Sequence, residues 1–230
     1  MSNNLLIFDF ADTIAFLNPS REEIVRSFIK DKTQIEIQLK VISNIYHHVS
    51  NINFYSSVDI KNSSSKEDFY YNFNHSLLSF LGMSDVLDPA ELHDYFLKNS
   101  QHWELKDNFI KQATFIKNQG FKISLLSNFD SRLIDVLKKM NIVNMFDSIF
   151  ISQDVGMEKP NLQFFELPLE QHNIEPKNSF FLGDSFLLDY VPASKMGMKA
   201  ILLDENNNYP YVSSRIRSIG SLSEIIFDNK

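Results

Sequence analysis

Apolar residues along this chain follow two rhythms. Short, mostly apolar runs recur at Leu5–Phe8, Lys122–Leu126, Ser148–Ile151, Ser179–Leu182 and Lys199–Leu203, each closing at polar or glycine-containing residues. From the second run onward they alternate with segments of three- and four-residue apolar spacing, Ser131–Met140, Asn161–His172 and Phe186–Met196. Runs without polar alternation suit strands buried on both faces, and strands alternating with helices predict right-handed βαβ units around a parallel sheet. The stretch from about Asn18 to about Trp103 has only the helical rhythm, at Arg21–Lys30, Thr33–His48, Lys66–Leu81 and Pro89–Lys98, with Asn51–Ser65 reading as a polar loop. The expected organisation is therefore an α/β, Rossmann-like parallel-sheet core from residues 1–17 and 104–230, with an all-helical insertion over 18–103. The tail from Glu205 to Lys230 is expected to return to the core through one last short element.

Composition narrows the classes of function. At 230 residues, 43% hydrophobic and 22% charged, the chain can bury a full core. A net charge of -7 and the lack of any Lys/Arg cluster argue against nucleic acid as a partner. The absence of cysteine excludes disulfides and thiolate metal sites. No apolar stretch is long enough to span a bilayer and no secretory leader is legible, so a cytoplasmic location without a membrane partner is the expectation. Oligomeric state is left open.

Ligands of parallel sheets bind where strands stop. The first run ends on Asp9 in LLIFDFADTI, and the second on Ser127-Asn128 in KISLLSNFD. Lys159-Pro160 follows the third in SQDVGMEKPN, and the fourth ends at Gly183-Asp184, with Asp189 five residues on, in FFLGDSFLLDY. Taken singly, each is usually a turn or cap. Together they bring a hydroxyl, an ammonium and three carboxylates to one sheet edge. Three clustered carboxylates call for a counter-charge, and their oxygen ligands suit Mg²⁺. Lys159 offers a point charge for a phosphate oxygen, Ser127 a donor, and an ionised Asp a nucleophile able to form an acyl phosphate.

These motifs resemble those of the haloacid dehalogenase-like (HAD) superfamily of aspartate-nucleophile phosphohydrolases. FDFADTI follows a family pattern of Asp-x-Asp-x-Thr at every fixed position but Ala11, and Ser127, Lys159 and Gly183-Asp184-Ser185…Asp189 match the later motifs. The helical insertion sits where the family's C1-type cap sits. The resemblance implies that Asp9 is the nucleophile and a Mg²⁺ ligand and that Asp184 is a second ligand. Asp189 would hold the metal shell or Lys159. Ser127, Asn128 and Lys159 would meet the phosphoryl group of a small phosphorylated substrate, with Thr13 supporting the first loop. Retention of the Asp184/Asp189 pair favours phosphate over halide chemistry.

One position departs from the pattern. Two residues after the nucleophile, most phosphatases of the family carry an aspartate that protonates the leaving group and then activates water. Here it is Ala11, whose carbonyl can still face the metal but whose side chain carries no proton. General acid–base transfer is typically worth about 10²–10⁴-fold in rate, so slow turnover is expected. Asp12 is adjacent, but its side chain is expected to point away. Three accounts of Ala11 stay open: a deliberate Asp→Ala replacement, a phosphonoacetaldehyde hydrolase-like C–P hydrolase, and a natural pseudo-enzyme that binds a phosphorylated ligand or partner. The second needs a desolvated lysine such as Lys30, Lys32 or Lys40.

The remaining candidates point to packing. His47 and His48 are adjacent and cannot share a helix face, which argues against a chelating pair. Tyr70, Tyr71, Phe73 and His75 are expected to pack between helices, and Trp103 to pack near the return to the core.

Overall fold

The computed structural model describes residues 4–58, 66–100 and 102–227. In chain order the elements are β1 (Leu5–Phe8), β2 (Ala15–Leu17), α1 (Arg21–Thr33), α2 (Leu39–Val58), α3 (Lys66–Phe80), α4 (Pro89–Asn99), β3 (Trp103–Leu105), α5 (Phe109–Asn118) and β4 (Lys122–Ser127). There follow α6 (Leu133–Lys139), β5 (Ser148–Ile151), α7 (Ser152–Val155), α8 (Leu162–His172), β6 (Ser179–Gly183), a π-helical turn (Phe186–Tyr190) and α9 (Val191–Lys195). The chain closes with β7 (Lys199–Leu203), β8 (Arg215–Ile216) and α10 (Leu222–Phe227). It divides into two compact units, residues 1–16 with 103–230, and residues 17–102.

The first unit is a parallel six-stranded sheet in the order β5-β4-β1-β6-β7-β8. Successive β1 side chains point to opposite faces, so its unbroken apolar run feeds two cores at once. Leu6 and Phe8 join residues of α5, α6 and α10, with the Phe8 and Phe109 rings edge to face at 5.4 Å. Leu5 and Ile7 join Phe164, Phe165 and Ala193 of α8 and α9. Phe8 pairs with Leu125 on one side and Leu182 on the other. The next residue of β1 therefore leaves the sheet beside the ends of β4 and β6.

The second unit holds α1–α4 around Val25, Phe28, Ile42, Val49, Leu77 and Leu92. Ser20 and Glu23 form a reciprocal capping box at the start of α1. The expected helix over Thr33–His48 is corrected: α1 runs on to Thr33, and Gln34 takes a left-handed φ of 62°. The Thr33 hydroxyl donates to the Ile29 carbonyl at 2.8 Å and accepts from Ile35 N–H at 3.1 Å, which closes the helix there. The polar loop expected from Asn51 is also corrected, because α2 continues to Val58. Ser and Asn are only mild helix destabilisers, a weak preference that tertiary context readily overrides. The rest of that loop, residues 59–65, lies outside the described residues.

Among the described residues, no helix is long and apolar enough to cross a membrane. Leu6, with no exposure at the centre of the sheet, gives a direct test of this packing. Leu6→Ala is expected to lower stability to urea by about 2–5 kcal/mol, whereas Ile110→Ala, at a half-exposed site, changes it by no more than about 0.5 kcal/mol.

Candidate active site

Asp9 follows β1 directly, is 5% exposed, and donates its N–H to the Leu182 carbonyl at 2.9 Å. The strand thus fixes its backbone, and two side chains fix its carboxylate. Oδ1 accepts from Lys159 Nζ at 2.7 Å, and Oδ2 lies 3.1 Å from the Thr13 hydroxyl. Thr13 is fully buried in the loop after β1, where the N–H groups of Ile14 and Ala15 both donate to the Phe10 carbonyl. Its hydroxyl also lies 3.2 Å from Asp184 Oδ1 and accepts the Asp184 N–H at 3.0 Å. One threonine therefore ties the ends of β1 and β6 together.

Lys159 is 4% exposed and donates to Asp189 Oδ1 at 2.6 Å as well as to Asp9. Asn128, just past β4, holds its main chain at two points. The Asn128 Nδ2 donates to the Lys159 carbonyl at 2.9 Å, and Lys159 N–H donates to Asn128 Oδ1 at 2.7 Å. Both groups of the Asn128 amide are thus engaged on the backbone that carries the lysine. Ser127 is the last residue of β4, buried two residues beyond the partner of Phe8.

The segment after β6 was expected to be one helix over Phe186–Met196. Instead, Phe186–Tyr190 is a π turn, and α9 begins only at Val191. An α-helix advances about 100° per residue, so a side chain five positions on falls away from the first. The wider turn brings Asp189 back over the end of β6, where its Oδ2 accepts Ser185 N–H at 3.0 Å. A Cβ on Gly183 would stand 2.4 Å from Asp189 Cγ, so no other residue fits beneath that carboxylate. The spacing of five between Asp184 and Asp189 was the available signal for the turn; nothing in the sequence marked the bonds of Thr13 or Asn128.

Asp9, Asp184 and Asp189 each offer a carboxylate oxygen, all within 4.8 Å of one another. Burial pushes the Asp184 carboxyl well above the usual carboxylate range, and Asp12, Asp9 and Asp189 add to it against Lys159. Burial likewise raises Asp189 to about 6, with Lys159 pulling down and Asp9 pushing up. Burial alone would favour a neutral Lys159 amine, but Asp189 and Asp9 outweigh it and hold its pKa above the ordinary lysine value. Three carboxylates against one ammonium leave negative charge uncompensated. The donor set is all oxygen, which fits a hard divalent cation such as Mg²⁺.

Asp12 follows Ala11 in the loop after β1. It has a left-handed φ of 59°, with its N–H on the Ala15 carbonyl at 2.7 Å. Its negative charge is among those that raise the Asp184 carboxyl. Ala11 sits half-buried in the same loop, bridged to Ala15.

Other candidates lie elsewhere. Lys30 and Lys32 pair with Glu36 and Glu91 on the surface of the helical unit, and Lys40 is exposed there too, so none of the three is desolvated. In that unit Phe73 is buried against Tyr46 of α2 and Tyr70 stacks on His93 of α4, both packing between helices as expected, whereas Tyr71 is exposed and stacks on His75 of its own helix. His48 is exposed and edge-on to Phe80; His47 neighbours it on α2. Trp103 packs on Phe10 at 4.9 Å and Phe129 at 5.7 Å.

The family model described as haloacid dehalogenase-like hydrolase matches residues 6–203, which includes every residue of this site. The chain belongs to that family. Haloacid dehalogenase-like hydrolase domain-containing protein 3 of Mus musculus is 31% identical over 101 residues, 44% of this chain and 40% of that protein. Glyceraldehyde 3-phosphate phosphatase of Methanothermobacter thermautotrophicus is 32% identical over 90 residues, 39% of this chain and 40% of that protein. The chain spans about half the length, or less, of the curated relatives it matches. Among solved structures, magnesium-bound YfnB of Bacillus subtilis superposes with a TM-score of 0.73 at 18% identity, covering 98% of this chain and 99% of that one. A HAD phosphatase of Thermococcus onnurineus gives 0.60 at 19% identity, covering 97% and 98%. These two similarities establish the shared fold.

Removing the Lys159 charge strands two buried carboxylates. Lys159→Met is expected to cost about 3–5 kcal/mol of folding stability at neutral pH, measured by chemical denaturation.

Proposed function

We propose that this chain is a Mg²⁺-dependent phosphohydrolase acting on a small phosphorylated metabolite, with Asp9 as nucleophile and turnover limited by Ala11. The observation that carries the reading is the Lys159 ammonium, bonded to both Asp9 and Asp189 beside a three-carboxylate cluster. Family membership supports hydrolysis, and similarity to a protein named glyceraldehyde 3-phosphate phosphatase supports a phosphate ester as substrate.

Asp9, Asp184 and Asp189 are the residues that would hold Mg²⁺, which supplies charge neutralisation at the phosphoryl oxygens. The Lys159 ammonium donates to one oxygen of Asp9, and the Thr13 hydroxyl holds the second. An Asp9 oxygen bonds to phosphorus as the bond to the leaving oxygen breaks, and that oxygen departs with the electron pair. Ser127 and Lys159 bind the phosphoryl group. Ala11 has no proton to give, so the leaving group takes one from water. Water then attacks the acyl phosphate, which releases inorganic phosphate and restores the Asp9 carboxylate.

A second reading is favoured by Ala11 itself: a catalytically silent protein that binds a phosphorylated ligand. The two readings separate on restoring a carboxylic acid. Ala11→Asp is expected to raise hydrolysis of an aryl phosphate with Mg²⁺ by about 10²–10⁴-fold, and adding Asp9→Asn is expected to abolish the gain. If Ala11→Asp stays inactive, the binding reading replaces the enzyme.

A further inference from the structure

The π turn of residues 186–190 places Asp189, and such turns are uncommon and persist where surrounding structure holds them. The N–H groups of Asp189 and Tyr190 both donate to the Ser185 carbonyl, at 3.0 and 3.1 Å, and Leu188 N–H donates to the Ser185 hydroxyl at 3.1 Å. These bonds close the turn locally but do not hold it against the sheet.

Aromatic rings tie it to the loop after β7. Phe186, the first residue of the turn, stacks on Tyr190, the last, with centroids 5.5 Å apart and planes 15° from parallel. The same ring stacks on Tyr209 at 4.9 Å and 17°. Tyr211 meets both Phe186 and Tyr209 edge-on, at 6.3 and 6.1 Å. Tyr209 comes from the loop after β7, and its backbone is anchored by Asp204, which is 4% exposed. Asp204 Oδ2 accepts Tyr209 N–H at 3.0 Å and Arg215 Nη1 at 3.2 Å, while Oδ1 accepts Asn208 N–H at 2.7 Å. Fixed contacts thus run from Arg215 through Asp204, Tyr209 and Phe186 to the turn, and from Asp189 to Lys159.

We propose that Tyr209 is a positioning residue for the acidic site, holding Phe186 at the head of the π turn, and through its ring Tyr190 at the end, so that Asp189 faces Lys159 and the cation site. This rests on the reading of Asp9, Asp184 and Asp189 as the Mg²⁺ site. Groups that orient metal ligands typically change metal affinity by about 10–100-fold when removed. A stack that only packs a surface loop would leave that affinity alone.

The test compares the full chain with its Tyr209→Ala and Tyr209→Phe variants. Amide hydrogen exchange is followed by NMR, and Mg²⁺ affinity by calorimetry. In Tyr209→Ala, exchange at Leu188, Asp189 and Tyr190 is expected to accelerate at least about tenfold while the β1 amides keep their rates, and Mg²⁺ binding to weaken about tenfold. Tyr209→Phe, which keeps the ring, is expected to stay within about twofold of the parent on both measures. Unchanged exchange across the turn overturns the proposal, as does acceleration shared equally by β1. Faster exchange with unaltered Mg²⁺ affinity overturns it too. A parent chain that takes up no Mg²⁺ overturns the underlying reading of the site, and the proposal with it; that failure shows in the parent rather than only in the variants.

Discussion

The Lys159 ammonium, almost wholly excluded from water, donates to Asp9 at 2.7 Å and to Asp189 at 2.6 Å. Burying three charged groups is expensive, and such a cluster is poor evidence for stability in itself. Its value is geometric. The three side chains come from the end of β1, the segment after α7 and the turn after β6, so the ammonium is satisfied only when all three arrive together. Asn128 fixes the lysine backbone, Thr13 links the two strand ends, and the missing side chain of Gly183 admits Asp189. Each is explicable once the ammonium must be matched.

Much of the scaffold was legible because its signal is local. Leu5–Phe8, Ser148–Ile151 and Lys199–Leu203 are strands with the bounds their apolar runs predicted. Runs of two or three residues, such as Ala15–Leu17 and Arg215–Ile216, are too short to show a period, and only pairing with a neighbour makes them strands. The break between Thr33 and Leu39 turns on a hydroxyl that bonds its own backbone, which apolar spacing does not register. Candidate site residues were visible as a set because each stands at or just beyond a strand end. Their mutual bonds were not, since Thr13 with Asp184 and Asn128 with Lys159 join positions far apart in the chain.

Asp12 holds a left-handed backbone conformation in the loop after β1, and its charge is among those that raise the Asp184 carboxyl. The loop that lacks an acid at Ala11 therefore still adds to the field at the sheet edge. That field strengthens the argument for a divalent cation, because one ammonium does not balance the acidic groups around it.

Phosphohydrolysis at this site requires Asp9 to act as a nucleophile. The direct measurement is to treat the full chain with acetyl phosphate and Mg²⁺, reduce with borohydride, and map the modified residue by mass spectrometry. Acetyl phosphate needs little help with its leaving group, so the first half of the reaction is expected to proceed even with Ala11. Conversion of Asp9 to homoserine, lost in Lys159→Met, is the predicted result. An Asp9 that stays unmodified while the folded chain binds Mg²⁺ would contradict it.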